Sequence, residues 1–173
     1  SSVEKVSPPE LVTRHSLAER NGHTIPRVLL AEDNIVNQKI TVRMLKKLGY
    51  RVDLAANGLE VLEALTRIPY AAILMDCHMP EMDGFAATRE IRRREALTNG
   101  ADASNGKSLP IIALTASVQR EDRDQCIASG MNDYLSKPVA PRVLAEVLAR
   151  WIKAASSISG SMDDHPLPAA SGE

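Results

Sequence analysis

Val28-Leu29-Leu30-Ala31, Ala71-Ala72-Ile73-Leu74-Met75 and the segment Leu109 to Thr115 are apolar almost without a break, and helical stretches separate them. A strand wetted on one face alternates apolar and polar residues. A strand covered on both faces does not, and that pattern belongs to parallel sheets. The first strand is expected over 26–32. A helix over 35–48 follows, with Val36, Ile40, Met44 and Leu48 at four-residue spacing and Gly49 as its stop. The second strand spans 51–56, and Asn57 with Glu60 forms a capping box for a helix reaching 67. The third strand spans 70–76, the loop runs from Cys77 to Gly84, and a third helix spans 85–96. Residues 97–108 are polar, carry Gly100 and Gly106, and read as a surface insertion. A fourth strand spans 109–115, a polar helix 119–129 ends before Gly130, and a fifth strand spans 132–136. The last helix, 141–154, is amphipathic through Leu144, Val147, Leu148 and Trp151. Five such units predict an α/β fold: a doubly wound five-stranded parallel sheet with five helices on its two faces.

In open parallel sheets ligands bind beyond the carboxyl ends of the strands. Glu32 and Asp33 follow the first apolar run, and Asp76 follows the third. Lys137 follows Tyr134-Leu135-Ser136 and precedes Pro138. All four side chains should therefore gather at one edge. Three carboxylates alone would repel: two like charges about 4 Å apart cost about 4 kcal/mol at an effective dielectric of 20. The cluster calls for a divalent cation, and an all-oxygen donor set favours Mg²⁺. The lysine adds a positive charge for an anion. Metal, carboxylate and ammonium around one point suit phosphoryl chemistry.

The 173 residues fit one domain with tails: a linker over 1–24, a domain over 25–155 and a flexible tail over 156–173. The formal charge of −1 argues against a generic polyanion binder. Arg89-Glu90-Ile91-Arg92-Arg93-Arg94 lacks interleaved aromatics and reads as a solvated helix face, so no direct nucleic-acid partner is expected. Cys77 and Cys126 are the two cysteines, which implies no disulfide framework and suits a reducing compartment. No apolar run approaches the roughly 18 residues of a membrane span. Residues 1–24 lack the apolar core of a signal peptide. A cytoplasmic location with no direct membrane contact is expected. Cys77 reads as a spacer, Met79 and Met82 as loop packing, and His15, His23 and His165 fall in the presumed tails.

Four stretches carry a resemblance. They are Val28-Leu29-Leu30-Ala31-Glu32-Asp33-Asn34, Leu74 through Gly84, Ile112-Ala113-Leu114-Thr115-Ala116, and Tyr134-Leu135-Ser136-Lys137-Pro138. In this order and spacing they resemble the receiver domain of two-component response regulators. The resemblance implies a flavodoxin-like three-layer sandwich with strand order 2-1-3-4-5. It implies that Asp76 is the phospho-acceptor. Mg²⁺ would be held by Asp33, Asp76 and the backbone carbonyl of His78, with help from Glu32. Thr115 and Lys137 would contact the phosphoryl oxygens, and Tyr134 would be the aromatic that changes rotamer on activation. The Lys137-Pro138 bond is expected to be cis, since X-Pro bonds are the usual place for one. Leu11-Val12-Thr13-Arg14-His15-Ser16-Leu17 is similar to the segment preceding receivers in hybrid kinases. The chain would then be the C-terminal receiver of a hybrid sensor histidine kinase, its parent anchored in a membrane with this part on the cytoplasmic side. Its partners would be a histidine kinase domain and a histidine phosphotransfer domain. A homodimer would form through the 4-5-5 face of fourth helix, fifth strand and fifth helix.

Phosphoryl transfer is mostly positioning and charge neutralisation, which these residue types supply. His78 and Ser117 lie two residues beyond Asp76 and Thr115, where a side chain could tune the lifetime of the phosphate. Three alternatives stay open. One is a stand-alone single-domain response regulator. Another is an aspartyl-phosphate phosphohydrolase, which needs a second Asp where this chain has His78. The third is a pseudo-receiver that takes no phosphate.

Overall fold

A computed structural model describes residues 25–99, 108–117 and 119–157. Its strands are β1 (Arg27–Ala31), β2 (Arg51–Ala55), β3 (Ala72–Asp76), β4 (Ile111–Thr115) and β5 (Asp133–Ser136). Its helices are α1 (Ile35–Lys47), α2 (Gly58–Arg67), α3 (Gly84–Asn99), α4 (Arg120–Ser129) and α5 (Pro141–Ser157). The strands form one sheet in the order β2-β1-β3-β4-β5, all pairs parallel. The order reverses at β1, which opens a crevice between the ends of β1 and β3.

β3 and β4 are buried along their whole length, as their unbroken apolar runs require. Leu29, Ile73, Met75, Ile111 and Ala113 pack on one face against Val61 and Leu62 of α2, Phe85 and Ile91 of α3, and Cys126 of α4. Val28, Leu30, Leu74, Ile112 and Leu114 pack on the other against Leu45 of α1 and Leu144, Val147 and Leu148 of α5. The result is three layers, with three helices on one face and two on the other. Met79 and Met82 pack half-buried on the first core, in keeping with their reading as loop packing.

Two expectations are corrected. Of the four-residue stripe on α1, Met44 packs half-buried against the core and the other three residues are exposed. Val36 is 65% exposed and Ile40 50%, while Thr41 and Leu45 are buried. A stripe marks an apolar face without saying what covers it. The third helix does not stop at 96. It continues through Leu97, Thr98 and Asn99, the Thr98 hydroxyl donating to the Arg94 carbonyl at 2.9 Å. Glu95 supports this last stretch, because its carboxylate accepts from Arg92 and from the Leu109 backbone N–H at 2.9 Å.

Other local expectations are met. Asn57 Oδ1 accepts from the Glu60 N–H at 3.0 Å. The return bond of the capping box goes to the Ala56 N–H at 2.7 Å, one residue before the cap. Gly49 takes φ +91° after α1. Arg93 and Arg94 both donate to Glu90 at 2.8 Å on the solvated face read from the sequence, whereas Arg92 of the same run turns inward and donates to the Gly130 carbonyl and to Asn132 Oδ1 at 2.8 and 2.7 Å. The Lys137-Pro138 bond is cis. The expected linker, with His15 and His23, lies outside the described residues, as do residues 100–107 of the insertion and 158–173 of the tail with His165, while Ser156 and Ser157, expected in the tail, end α5.

Candidate functional site

Parallel register builds the site. Ala31 pairs with Met75, Asp76 with Leu114, and Thr115 with Ser136. The residues that end or follow these strands are Glu32, Asp76, Thr115 and Lys137, so they share one edge of the sheet. Carboxylate oxygens of Glu32, Asp33 and Asp76 lie within 4.8 Å of one another. Lys137 Nζ lies 2.8 Å from Asp76 Oδ2 and 2.9 Å from Glu32 Oε2. Glu32 is 2% exposed and Asp76 5%, whereas Asp33 is exposed.

Local bonds hold these groups in place. Asn34 caps α1, its Oδ1 accepting from the Val36 and Asn37 N–H groups at 2.9 and 3.1 Å. The Asn34 N–H itself donates to Glu32 Oε1 at 3.1 Å, and Gln38 Nε2 donates to the Glu32 carbonyl at 2.6 Å. The start of α1 therefore fixes Glu32 and the turn through Asp33. The His78 N–H donates to Asp76 Oδ1 at 3.2 Å, and the Cys77 N–H donates to the Leu114 carbonyl at 3.2 Å. Gly84 closes the β3–α3 loop by donating to the Cys77 carbonyl at 3.1 Å. A Cβ on Gly84 would stand 2.2 Å from the Asp76 carbonyl oxygen, so only glycine permits that approach.

Burial alone would lower the Lys137 pKa. Its hydrogen bonds to Asp76 and Glu32 outweigh that effect and hold it above the ordinary lysine value. Three carboxylates against one ammonium leave two uncompensated negative charges at the edge. That donor set, oxygen only and partly open to solvent at Asp33, fits a hard divalent ion such as Mg²⁺.

The remaining expected residues are placed less directly. Thr115 is 7% exposed and its hydroxyl donates to the Ser117 carbonyl at 2.7 Å, while the Ser117 N–H donates back to that hydroxyl at 3.2 Å. Ser117 Oγ accepts from the Gln119 N–H at 3.3 Å, which engages it in the approach to α4. His78 is exposed, its ring edge-on to Phe85 with centroids 6.0 Å apart. Tyr134 is half-buried, and the Arg123 guanidinium carbon lies 5.0 Å from its ring centroid. Cys77 is more than a spacer: it is buried with its sulfur 3.9 Å from that of Cys126, and burial pushes both thiols up. Sequence reasoning gave no site role to Asn34, Gln38, Gly84 or Arg123, although Asn34 and Gly84 stand in stretches that carry the resemblance. Of these only Asn34 carries a local signal, as a good N-cap before a helical run.

The family model described as "Response regulator receiver domain" matches residues 28–149. The hybrid signal transduction protein dokA of Dictyostelium discoideum is 44% identical over 126 residues, which is 73% of this chain. That stretch is 7% of the relative's length, so the chain matches one part of a much longer protein. Among solved structures, the receiver domain of sensor histidine kinase PA1611 from Pseudomonas aeruginosa PAO1 is 47% identical with a TM-score of 0.65, covering 75% of this chain and 99% of that one. It was determined with a magnesium ion coordinated in its active site cleft. The receiver domain of Ssk1, in a complex with the histidine phosphotransfer protein Ypd1 of Saccharomyces cerevisiae, is 31% identical with a TM-score of 0.70. That match covers 81% of this chain and 97% of the other.

Proposed function

The chain belongs to the response regulator receiver domain family, and on that footing we propose that it accepts a phosphoryl group from a phosphohistidine onto Asp76. One observation carries the choice of residue. Lys137 pairs with two carboxylates of the acidic cluster, Glu32 and Asp76, and Asp76 is the one that ends the central strand β3, between Glu32 after β1 and Thr115 at the end of β4.

Asp33, Asp76 and the His78 carbonyl would hold Mg²⁺, with Glu32 beside them, and the bound ion supplies positive charge where carboxylate and phosphoryl oxygens would otherwise repel. An Asp76 carboxylate oxygen attacks phosphorus in line with the departing imidazole. The O–P bond forms as the N–P bond breaks, and the imidazole nitrogen keeps the electron pair. Lys137 already points its ammonium at Asp76 Oδ2 and takes up charge that develops on a phosphoryl oxygen. Thr115 exchanges its bond to the Ser117 carbonyl for one to the phosphoryl group, which draws the β4–α4 loop inward. Tyr134 then turns toward the space released. A local charge event thus biases a two-state element.

The donor is a protein, so it needs a docking surface beside Asp76. α1 offers one. Ile35, Val36 and Ile40 are 64%, 65% and 50% exposed on it. Lys39, Arg43, Lys46 and Lys47 add four cations, and the helix has no acid. A groove of about 380 Å³ lined by Ile40, Met44, Leu48 and Pro141 runs beside it. These features suit an acidic amphipathic helix that presents the phosphohistidine, as in a histidine phosphotransfer or kinase dimerisation domain. The parent would be a hybrid histidine kinase working on the cytoplasmic side, and the α4–β5–α5 face, with Ile127 and Val143 exposed, would serve self-association. Among the described residues no helix is long and apolar enough to cross a membrane.

Phosphotransfer from a radiolabelled histidine phosphotransfer protein tests the reading. Label should move to the parent chain and be mapped to Asp76 by hydroxamate formation and mass spectrometry. Full labelling of Asp76→Asn would sink the assignment.

A further inference from the structure

We infer that Arg123 is a positioning residue whose guanidinium, stacked on Tyr134, holds that ring as seen here and ties the first half of α4 to β5. The inference rests on the proposed switching role of Tyr134 and adds the group that biases the switch.

α4 is poorly anchored at its start. Its two buried residues, Cys126 and Ser129, both lie toward its C-terminal end. Residues 120–125 contain no buried side chain. The N-cap residue, Gln119, makes no side-chain capping bond. Against that background the Arg123 guanidinium sits 5.0 Å above the Tyr134 ring centroid. Among the described residues no carboxylate lies within ion-pair distance of Arg123. Its backbone N–H donates to the carbonyl of the N-cap residue Gln119 at 3.2 Å, which leaves the guanidinium free for the ring. Tyr134 in turn packs half-buried at the edge of the core formed with Met75, Ala113 and Cys126.

The stack exists only while the ring stays under Arg123. If Tyr134 turns inward, the cation loses its aromatic partner and the first half of α4 loses its tie to the sheet. The pair therefore favours the present arrangement over the switched one. An exposed cation–π pair of this kind corresponds to a factor of about 2–5 in such an equilibrium. By linkage, whatever binds the switched arrangement better must bind that much more weakly while Arg123 is present. The same contact couples the ring to α4, so the surface of 120–125 changes when the site is loaded.

The test uses the full chain with tyrosine rings labelled for NMR, and beryllofluoride with Mg²⁺ as the phosphoryl mimic. In the parent, the Tyr134 ring signals should move on adding beryllofluoride. In Arg123→Gln they should start partway toward the loaded position, with apparent beryllofluoride affinity raised about two- to fivefold. Amide exchange at 120–125 should speed up. Arg123→Lys should recover part of the parent behaviour. In a Tyr134→Leu background Arg123→Gln should change nothing. Unmoved Tyr134 signals and unchanged affinity in Arg123→Gln, with the parent responding normally, would overturn the inference alone. An affinity change that persists in the Tyr134→Leu background would also overturn it, because it would act without the ring. A parent whose Tyr134 ignores beryllofluoride while Asp76 still labels would overturn the switching role itself, and the inference with it.

Discussion

Lys137 and Asp76 stand 61 residues apart in the chain and 2.8 Å apart in space, ammonium nitrogen against Oδ2. The same ammonium lies 2.9 Å from Glu32 Oε2. One cation thus neutralises part of a buried acidic pair, and it bridges the two carboxylates that end β3 and follow β1.

Lys137→Met should separate two roles of that cation. Loss of one preorganised charge at the transferring group should slow acetyl-phosphate labelling about 100-fold or more. Glu32 and Asp76 would be left facing each other, lowering stability by about 1–3 kcal/mol in the absence of divalent ions. Mg²⁺ should restore part of that loss. Urea melts with and without Mg²⁺, beside labelling rates, check both. A variant that labels at the parent rate would remove Lys137 from the chemistry.

Asp33→Ala should abolish Mg²⁺-dependent labelling while the fold survives, because Asp33 is exposed and its side chain carries no packing role. Titration calorimetry should show weak Mg²⁺ binding in the parent, consistent with few protein ligands, and none in the variant. Undiminished labelling would exclude Asp33 as a ligand.

Gly84→Ala should disturb the site from behind. The added carbon would stand 2.2 Å from the Asp76 carbonyl oxygen, and 3.0 Å from its carbonyl carbon, so backbone has to move. Overpacking of this kind costs about 1–3 kcal/mol or more. Thermal denaturation should show the loss, and labelling of Asp76 should fall with it. A melting temperature equal to the parent's would contradict the close approach.

Stability should fall in strong base in a way traceable to Tyr70. Burial and a 2.7 Å hydrogen bond to Asp53 raise its pKa from 10.0 to about 12. The folded state holds that proton longer than the unfolded state. The contribution is therefore full below about pH 10 and is lost as pH rises toward 12. Lys137 is raised as well and adds to the same loss above its own ordinary range. Tyr70→Phe should flatten part of the decline in urea melts taken from pH 9 to pH 12. An unchanged slope would place the titration elsewhere.

His78→Ala with Ser117→Ala should change dephosphorylation several-fold while leaving acetyl-phosphate labelling intact. His78 is exposed beside Phe85, two residues beyond Asp76, and Ser117 Oγ accepts from the Gln119 N–H two residues beyond Thr115, so each side chain would stand near a phosphoryl group on Asp76 and the water that removes it. Decay of labelled protein at fixed Mg²⁺, followed on phosphate-affinity gels, measures it. Superimposable decay curves would mean that neither side chain bears on the hydrolytic water.

The sequence by itself determined the five βα units, the parallel sheet and the edge where Glu32, Asp33, Asp76 and Lys137 meet. It could do so because a strand covered on both faces must be apolar throughout. The first polar residue after such a run has to sit at the strand's end. Tertiary structure alone decided what each helix face meets. Val36, Ile40, Met44 and Leu48 make a regular stripe, yet Thr41 and Leu45 are the buried residues, and of the stripe Met44 alone packs, half-buried, on the core. Helical spacing records that a face is apolar and is silent on whether the sheet or a partner will cover it. The same holds for pairs far apart in the chain. The Arg123 stack on Tyr134 and the contact of Cys77 with Cys126 have no local pattern. Each exists only because parallel pairing brings separate strand ends, and the loops and helices that follow them, to one side of the sheet.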